Sequence, residues 1–299
     1  MRPQLGPEMV DFRTRGFLTH DARAREHLEE RAHAFITGFN LAANDWAGVH
    51  EALAGLPDEL RGFAYEGAGM YGGLLGTVRG RAATATHLLS YGGARYPHLI
   101  HVGWGWGSTP LRTAALVPLA PTPVLKWLGL DGAGFGLGFF CGTKRALRIV
   151  ERARGARRTA MVAGVGRSLW FANCADPGRI ADLISSASAV DTEELWAGVG
   201  LAAAYAGAPD PDASRVRHLA ELSGRSENAF RQGLLFGVVA HHTSGHSEGV
   251  APTMASNVLG LSPRQATAIA DDALEGLAGD ESIAAYEQWR RRVREAVAA

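Results

Sequence analysis

Phe63-Ala-Tyr-Glu-Gly-Ala-Gly-Met70 is a stretch of apolar and aromatic residues with glycines set inside it rather than at its ends. Two further segments resemble it, Phe135-Gly-Leu-Gly-Phe-Phe-Cys-Gly142 and Leu195-Trp-Ala-Gly-Val-Gly-Leu-Ala202. Each is followed about half a repeat later by a second glycine segment: His101-Val-Gly-Trp-Gly-Trp-Gly107, Ala163-Gly-Val-Gly-Arg-Ser-Leu-Trp170, and Arg231-Gln-Gly-Leu-Leu-Phe-Gly237. A glycine costs a helix interior about 1 kcal/mol relative to alanine. Six such segments therefore need a reason: either helix backbones pack very closely, or a ligand approaches the backbone. Units of about sixty to seventy residues, each a pair of helices, suit a stacked array that buries one continuous core. The expectation is an all-α fold of stacked helix-pair repeats, threefold, around a glycine- and aromatic-rich core. Gly67, Gly138 and Gly198 should be equivalent, as should Gly103, Gly166 and Gly233.

Outward from these segments, helical signals continue. Residues 21–41 carry Leu28, Ala32, Phe35, Ile36 and Phe39 at helical spacing behind Asp21, an N-cap residue. Asp176-Pro177 opens a helix over 176–188, Ser262-Pro263 opens one through Leu274, and 281–297 reads as a charged terminal helix. No stretch alternates apolar and polar residues long enough to make a sheet. The Pro-rich stretches 118–123 and 207–214 read as loops. One domain, 1–299, follows, with units at about 45–125, 126–190 and 191–260 and a helical cap at 261–299.

Composition narrows the function classes. Thirty basic and thirty acidic residues cancel, which removes the electrostatic footprint of a general nucleic-acid binder. The arginines clustered at 148–158 and 290–294 read as solvated charge. Cys141 and Cys174 match no disulfide framework or zinc spacing. Residues 1–12 lack the apolar core of a signal peptide, and no run of about 18 uninterrupted apolar residues occurs. A cytoplasmic protein without stable membrane insertion is expected.

Three ionisable residues stand in segments otherwise suited to burial. Glu66 lies between Tyr65 and Gly67, Asp131 precedes Gly132-Ala-Gly-Phe135, and Arg167 interrupts Val165-Gly-Arg-Ser-Leu-Trp170. Buried charge is costly unless paired or neutralised. These three should therefore converge within about 10 Å, as a structural ion pair or as catalytic groups. Tyr65, Trp104, Trp106, Phe135, Phe139, Trp170, Trp196, Tyr205 and Gln232 are the candidate walls of the same cavity. His241-His242-x-x-x-His246 tempts a metal reading, but no Glu follows the first His as zincins require. Asp271-Asp272-Ala-Leu-Glu275 superficially resembles the aspartate-rich magnesium motif of class I terpene cyclases, but it lies near the chain end with no second metal motif after it. No cofactor is expected, and magnesium only under a terpene-cyclase reading.

Taken in order along the chain, Arg13-Thr-Arg-Gly-Phe17, Gly62 to Met70, His101-Val-Gly-Trp-Gly-Trp106, Leu125-Lys-Trp-Leu-Gly-Leu-Asp-Gly132, Gly166-Arg-Ser-Leu-Trp-Phe171, Leu195 to Gly207 and Gln232-Gly233 resemble the enediyne biosynthesis protein family, a domain of unknown function. The resemblance covers nearly the whole chain and implies a role in natural-product biosynthesis. One departure is Gly134-Phe-Gly-Leu-Gly138, where that family's block usually carries His in third place; either that His is no essential base here or this protein has changed its role. Three readings follow: an enzyme, such as a cyclase, acting on a polyene or isoprenoid chain; a non-catalytic carrier of a reactive intermediate; and a scaffold. A hydrophobic small molecule is the expected ligand, with a homodimer or a biosynthetic partner protein as the expected assembly.

Overall fold

The computed structural model describes residues 3–111, 123–210, 212–246 and 249–298. The expected loop at 118–123 lies almost wholly outside them. The described residues are helical, with no strand among them. Seven long helices form the body: α1 (Ala22–Asn44), α2 (Asp58–Arg79), α3 (Pro97–Leu111), α4 (Leu128–Cys141), α5 (Ala156–Ala172), α6 (Ala189–Tyr205) and α7 (Glu227–Ser244). Each packs chiefly on the one before and the one after it in the chain. Short helices such as Arg81–Leu88, Thr143–Val150, Pro177–Ser185 and Ser214–Ser223 connect them. The final helix, α8 (Ile283–Ala296), packs on α7 and on Pro263–Leu274. The expected caps hold: Asp21 and Asp176 accept from backbone N–H groups, and Ser262 forms a reciprocal capping box with Gln265.

The glycines explain how the array closes up. A Cβ on Gly67, Gly103, Gly132, Gly164, Gly198 or Gly233 would lie 1.8–2.0 Å from a carbonyl oxygen of the preceding long helix, that of Phe35, Glu66, Val102, Asp131, Ala163 or Ala197 respectively. Two residues after five of these glycines stands another that meets the following helix instead. Gly69 faces the Ile100 carbonyl, Gly105 that of Gly129, Gly134 that of Met161, Gly166 that of Leu195 and Gly200 that of Phe230. Gly38 of α1 does the same with Ala64. Each G-x-G therefore presents one bare backbone patch to each neighbour, and small residues let the axes approach where any side chain would clash.

The contacts also give the direction of the helices. Gly69 meets Ile100 and Gly73 meets Trp104, while Gly103 meets Glu66 and Gly107 meets Met70. Contacts advance together along α2 and α3, so the neighbours run parallel, and the short helices are returns. The repeating element is thus one long helix with its return. In this register Gly67 matches Gly198 and Gly103 matches Gly233 as expected, and all four share one position, which was not expected; Gly138 and Gly166 do not share it, and Gly132 and Gly164 take their places. Gly138 sits beside the Ser168 hydroxyl, and Gly166 is the second glycine of its pair. The apolar stretch Pro123–Cys141 is long enough to cross a membrane, but 72% of it is buried within the array.

Candidate functional site

Numbering α2 to α7 from Gly67, Gly103, Gly132, Gly164, Gly198 and Gly233 shows which residues face the interior of the array. Residues one before each such glycine, three after it and seven after it share one helix face, four apart. On α2 the first of these is Glu66, on α3 the second is Trp106, and on α4 the three are Asp131, Phe135 and Phe139. On α5 they are Ala163, Arg167 and Phe171, on α6 Ala197, Leu201 and Tyr205, and on α7 Gln232, Phe236 and Ala240. All of these line one or other of two internal cavities.

Glu66, Asp131 and Arg167 retain only 3%, 3% and 8% of their surface. Arg167 donates through Nη1 to Asp131 Oδ1 in a close charge-assisted contact, and its Nη2 lies 3.7 Å from Glu66 Oε1. The indole Nε1 of Trp106 donates to the same Glu66 oxygen at 3.1 Å. The guanidinium sits over the Phe135 ring, 4.7 Å from its centroid. Burial pushes the Glu66 carboxyl up, to about 7; Arg167 and the Trp106 hydrogen bond pull it back, and Asp131 adds to the rise. Burial alone would lower Arg167, but Asp131 and Glu66 outweigh it and hold the guanidinium above its ordinary value. The cluster is thus an arginine with a committed partner in Asp131, and a second carboxyl able to keep its proton near neutrality.

The first cavity opens beside Glu66. Its walls are mainly rings (Phe35, Phe63, Trp106, Phe135, Phe139, Phe171), and Leu5, Met9 and Val10 of the N-terminal segment line one side. It holds about 620 Å³ of empty space, open solvent included. Its rings come from α1, α2, α3, α4 and α5, and the apolar space between them suits a slender chain rather than a bulky ligand. The second cavity lies on the Asp131 side, with about 770 Å³ of empty space, open solvent included, and is lined by Gln232, Phe236 and by Tyr286, Trp289 and Arg290 of α8.

The three charged candidates therefore converge, and Trp106, Phe135, Phe139, Tyr205 and Gln232 join them at the cavities. Tyr65, Trp104, Trp170 and Trp196 do not, because their register turns them away from the inner face. Tyr65 stacks on Tyr96 at 4.7 Å and meets His50 Nδ1 at 3.1 Å. Trp104, between the glycines of its pair, is buried with Ala85. Trp170 donates to the Gly207 carbonyl at 3.0 Å, and Trp196 packs edge-on against Phe230. The tryptophan wall expected around the charges is mostly a phenylalanine wall. Phe35, Phe63 and Phe171 escaped the sequence reading as site residues, as did Tyr286 and Trp289, and Arg290, expected as solvated charge, is buried against Glu194; the register signal finds Phe171, whereas nothing in the glycine pattern points to α8.

The histidine cluster disperses. His241 Nε2 pairs with the Tyr205 carbonyl at 3.0 Å, its ring pushed down to about 4 by burial, and His246 Nε2 meets the Tyr96 hydroxyl at 3.2 Å. Asp271, Asp272 and Glu275 lie at the end of helix Pro263–Leu274, away from both cavities. Among the described residues no three His, Cys, Asp or Glu side chains come together as a metal site.

A family model described as "Protein of unknown function (DUF1702)" matches residues 3–297. The chain belongs to that family. No curated protein and no solved structure matches it. As a DUF1702 protein it carries the described charge cluster on helices α2, α4 and α5, all within the matched span.

Proposed function

We propose that this DUF1702 protein acts on a slender, apolar, unsaturated chain, such as a polyene or isoprenoid, in the biosynthesis of an enediyne-type or other specialised metabolite. The observation that carries this reading is the Glu66 carboxyl, raised to about 7 and facing a ring-lined void. A carboxyl poised near neutrality can both give and take a proton. Glu66 adds its proton to a double bond of the chain, and the cation formed lies among the faces of Trp106, Phe135 and Phe139. Loss of a proton from another carbon, back to Glu66, completes an isomerisation or a cyclisation with no net oxidation. Asp131 balances Arg167 throughout, so that Arg167 orients Glu66 without repelling the developing cation as a free charge would.

The test is proton exchange. Incubated in deuterium oxide with linear polyenes, the wild-type protein should place deuterium on chain carbons, and Glu66→Gln should not while still binding the chain. Binding without exchange in the wild type favours a second reading, a carrier that shields a reactive chain, which the apolar ring lining also suits. Absence of binding rejects both.

A further inference from the structure

The two cavities share two lining residues, Arg167 and Tyr205, and no others. These side chains form a partition, with the Glu66 void on one side and the Asp131 void on the other. Their attachments differ. Arg167 is pinned by carboxylates on both sides of the wall. Tyr205, seven residues after the first glycine of α6, is held through its ring, stacked on His241 at 4.5 Å and tilted against Phe63 at 5.1 Å. Its hydroxyl lies 2.0 Å from where a Cβ on Gly62 would stand, so the bare backbone there admits the tip of the phenol. The far cavity continues the apolar lining, with Leu201, Phe236, Val239 and Ala240 beyond the wall.

An enclosed acid that acts on a chain needs the reacting double bond placed at a fixed distance from the chain's end. A bulky ring that closes the void supplies that stop. We propose that Tyr205 sets the length of chain the protein accepts: the chain ends against the Tyr205 ring on the Glu66 side, and the second cavity is a walled-off continuation. This rests on the reading of the first cavity as the site of an unsaturated chain.

The experiment titrates the unsubstituted linear trienes, tetraenes, pentaenes and hexaenes into the full-length protein, following their absorbance. Wild-type affinity should rise with length to a limit and then fall at least tenfold for the next member. Tyr205→Ala, and Tyr205→Leu should the first variant fold poorly, should move that limit to longer chains. Tyr205→Phe keeps the ring and should keep the wild-type limit. Phe236→Ala enlarges only the far cavity; it should leave the wild-type limit alone and extend it further when combined with Tyr205→Ala. A limit that stays put in Tyr205→Ala and Tyr205→Leu, or that moves in Phe236→Ala alone, overturns the role of Tyr205 and leaves the site intact. If the wild type binds no member of the series, the reading of the cavity itself fails, and the gauge with it.

Discussion

Glu66 and Asp131 occupy the same register position, one residue before Gly67 on α2 and Gly132 on α4, yet they do different work. Asp131 stands in the first turn of α4, where a helix end favours negative charge, and it grips Arg167. Glu66 lies in the middle of α2, with an indole donor and a more distant cation. The two substitutions should therefore diverge. Asp131→Asn leaves a buried guanidinium without its main partner and should cost about 3–5 kcal/mol in urea unfolding. Glu66→Gln imitates the protonated form and should be tolerated near neutral pH; a loss as large as that of Asp131→Asn would make Glu66 a structural counter-ion and remove its role as acid. The pH dependence has a definite sign. The folded Glu66 carboxyl titrates near 7, above its ordinary 4.5, so its contribution to stability is complete below about 4.5 and is lost as pH rises to about 7. The wild type should lose ground to Glu66→Gln in melting temperature between pH 5 and pH 8, and a constant difference would contradict the shift. All three charged residues were legible in the sequence, because ionisable groups in apolar segments need partners. The rings were legible only in part: richness in tryptophan says that a residue is buried, not which way it points.

At the scale of the helix, the same glycine pattern was visible and its meaning half read. Close packing was one of the two explanations for internal glycines, and the carbonyl contacts of both residues in each G-x-G bear it out. On α4 and α5 the expected equivalents, Gly138 and Gly166, are out of register with the glycines of the other helices. Aligning on the dipeptide step between glycines would have recovered the repeat, spaced 29 to 36 residues between first glycines. Parallel direction was not legible, since it depends on the short return helices, whose sequences resemble ordinary amphipathic connectors. Gly103→Ala gains helix propensity of about 1 kcal/mol, but its methyl would stand 1.8 Å from the Glu66 carbonyl oxygen. Separation of α2 and α3 should win, with a net loss of at least about 1–3 kcal/mol and a displaced Glu66. Gly178→Ala, in the helix Pro177–Ser185 with its nearest neighbour 3.5 Å away, should instead be neutral or stabilise by up to about 1 kcal/mol. Equal melting temperatures for the two variants would show that the G-x-G contacts are slack.

Across the whole molecule, the two cavities lie between the chain's two ends: the N-terminal segment covers one, and α8 the other, fastened by Arg290 and Arg294 to Glu194. The seven long helices between them all point the same way, and that has an electrostatic consequence. In an antiparallel bundle the peptide dipoles of neighbours cancel; here they add, offset only in part by the shorter returns, so one rim of the array is positive and the other negative. The acidic first turns fit that polarity, with Asp58 and Glu59 on α2, Asp131 on α4, Asp191 on α6 and Glu227 on α7. Reversing charge at the exposed members, Glu59→Lys or Glu227→Lys, should cost about 0.3–1 kcal/mol each at low ionic strength. The loss should shrink as salt screens the rim. Glu287→Lys, on α8 beyond its first turn, should show neither the loss nor its salt dependence. The molecule is thus a stack of aligned dipoles as much as a stack of helices, and the first-turn carboxylates of α2, α4, α6 and α7 offset part of the repulsion between its like poles.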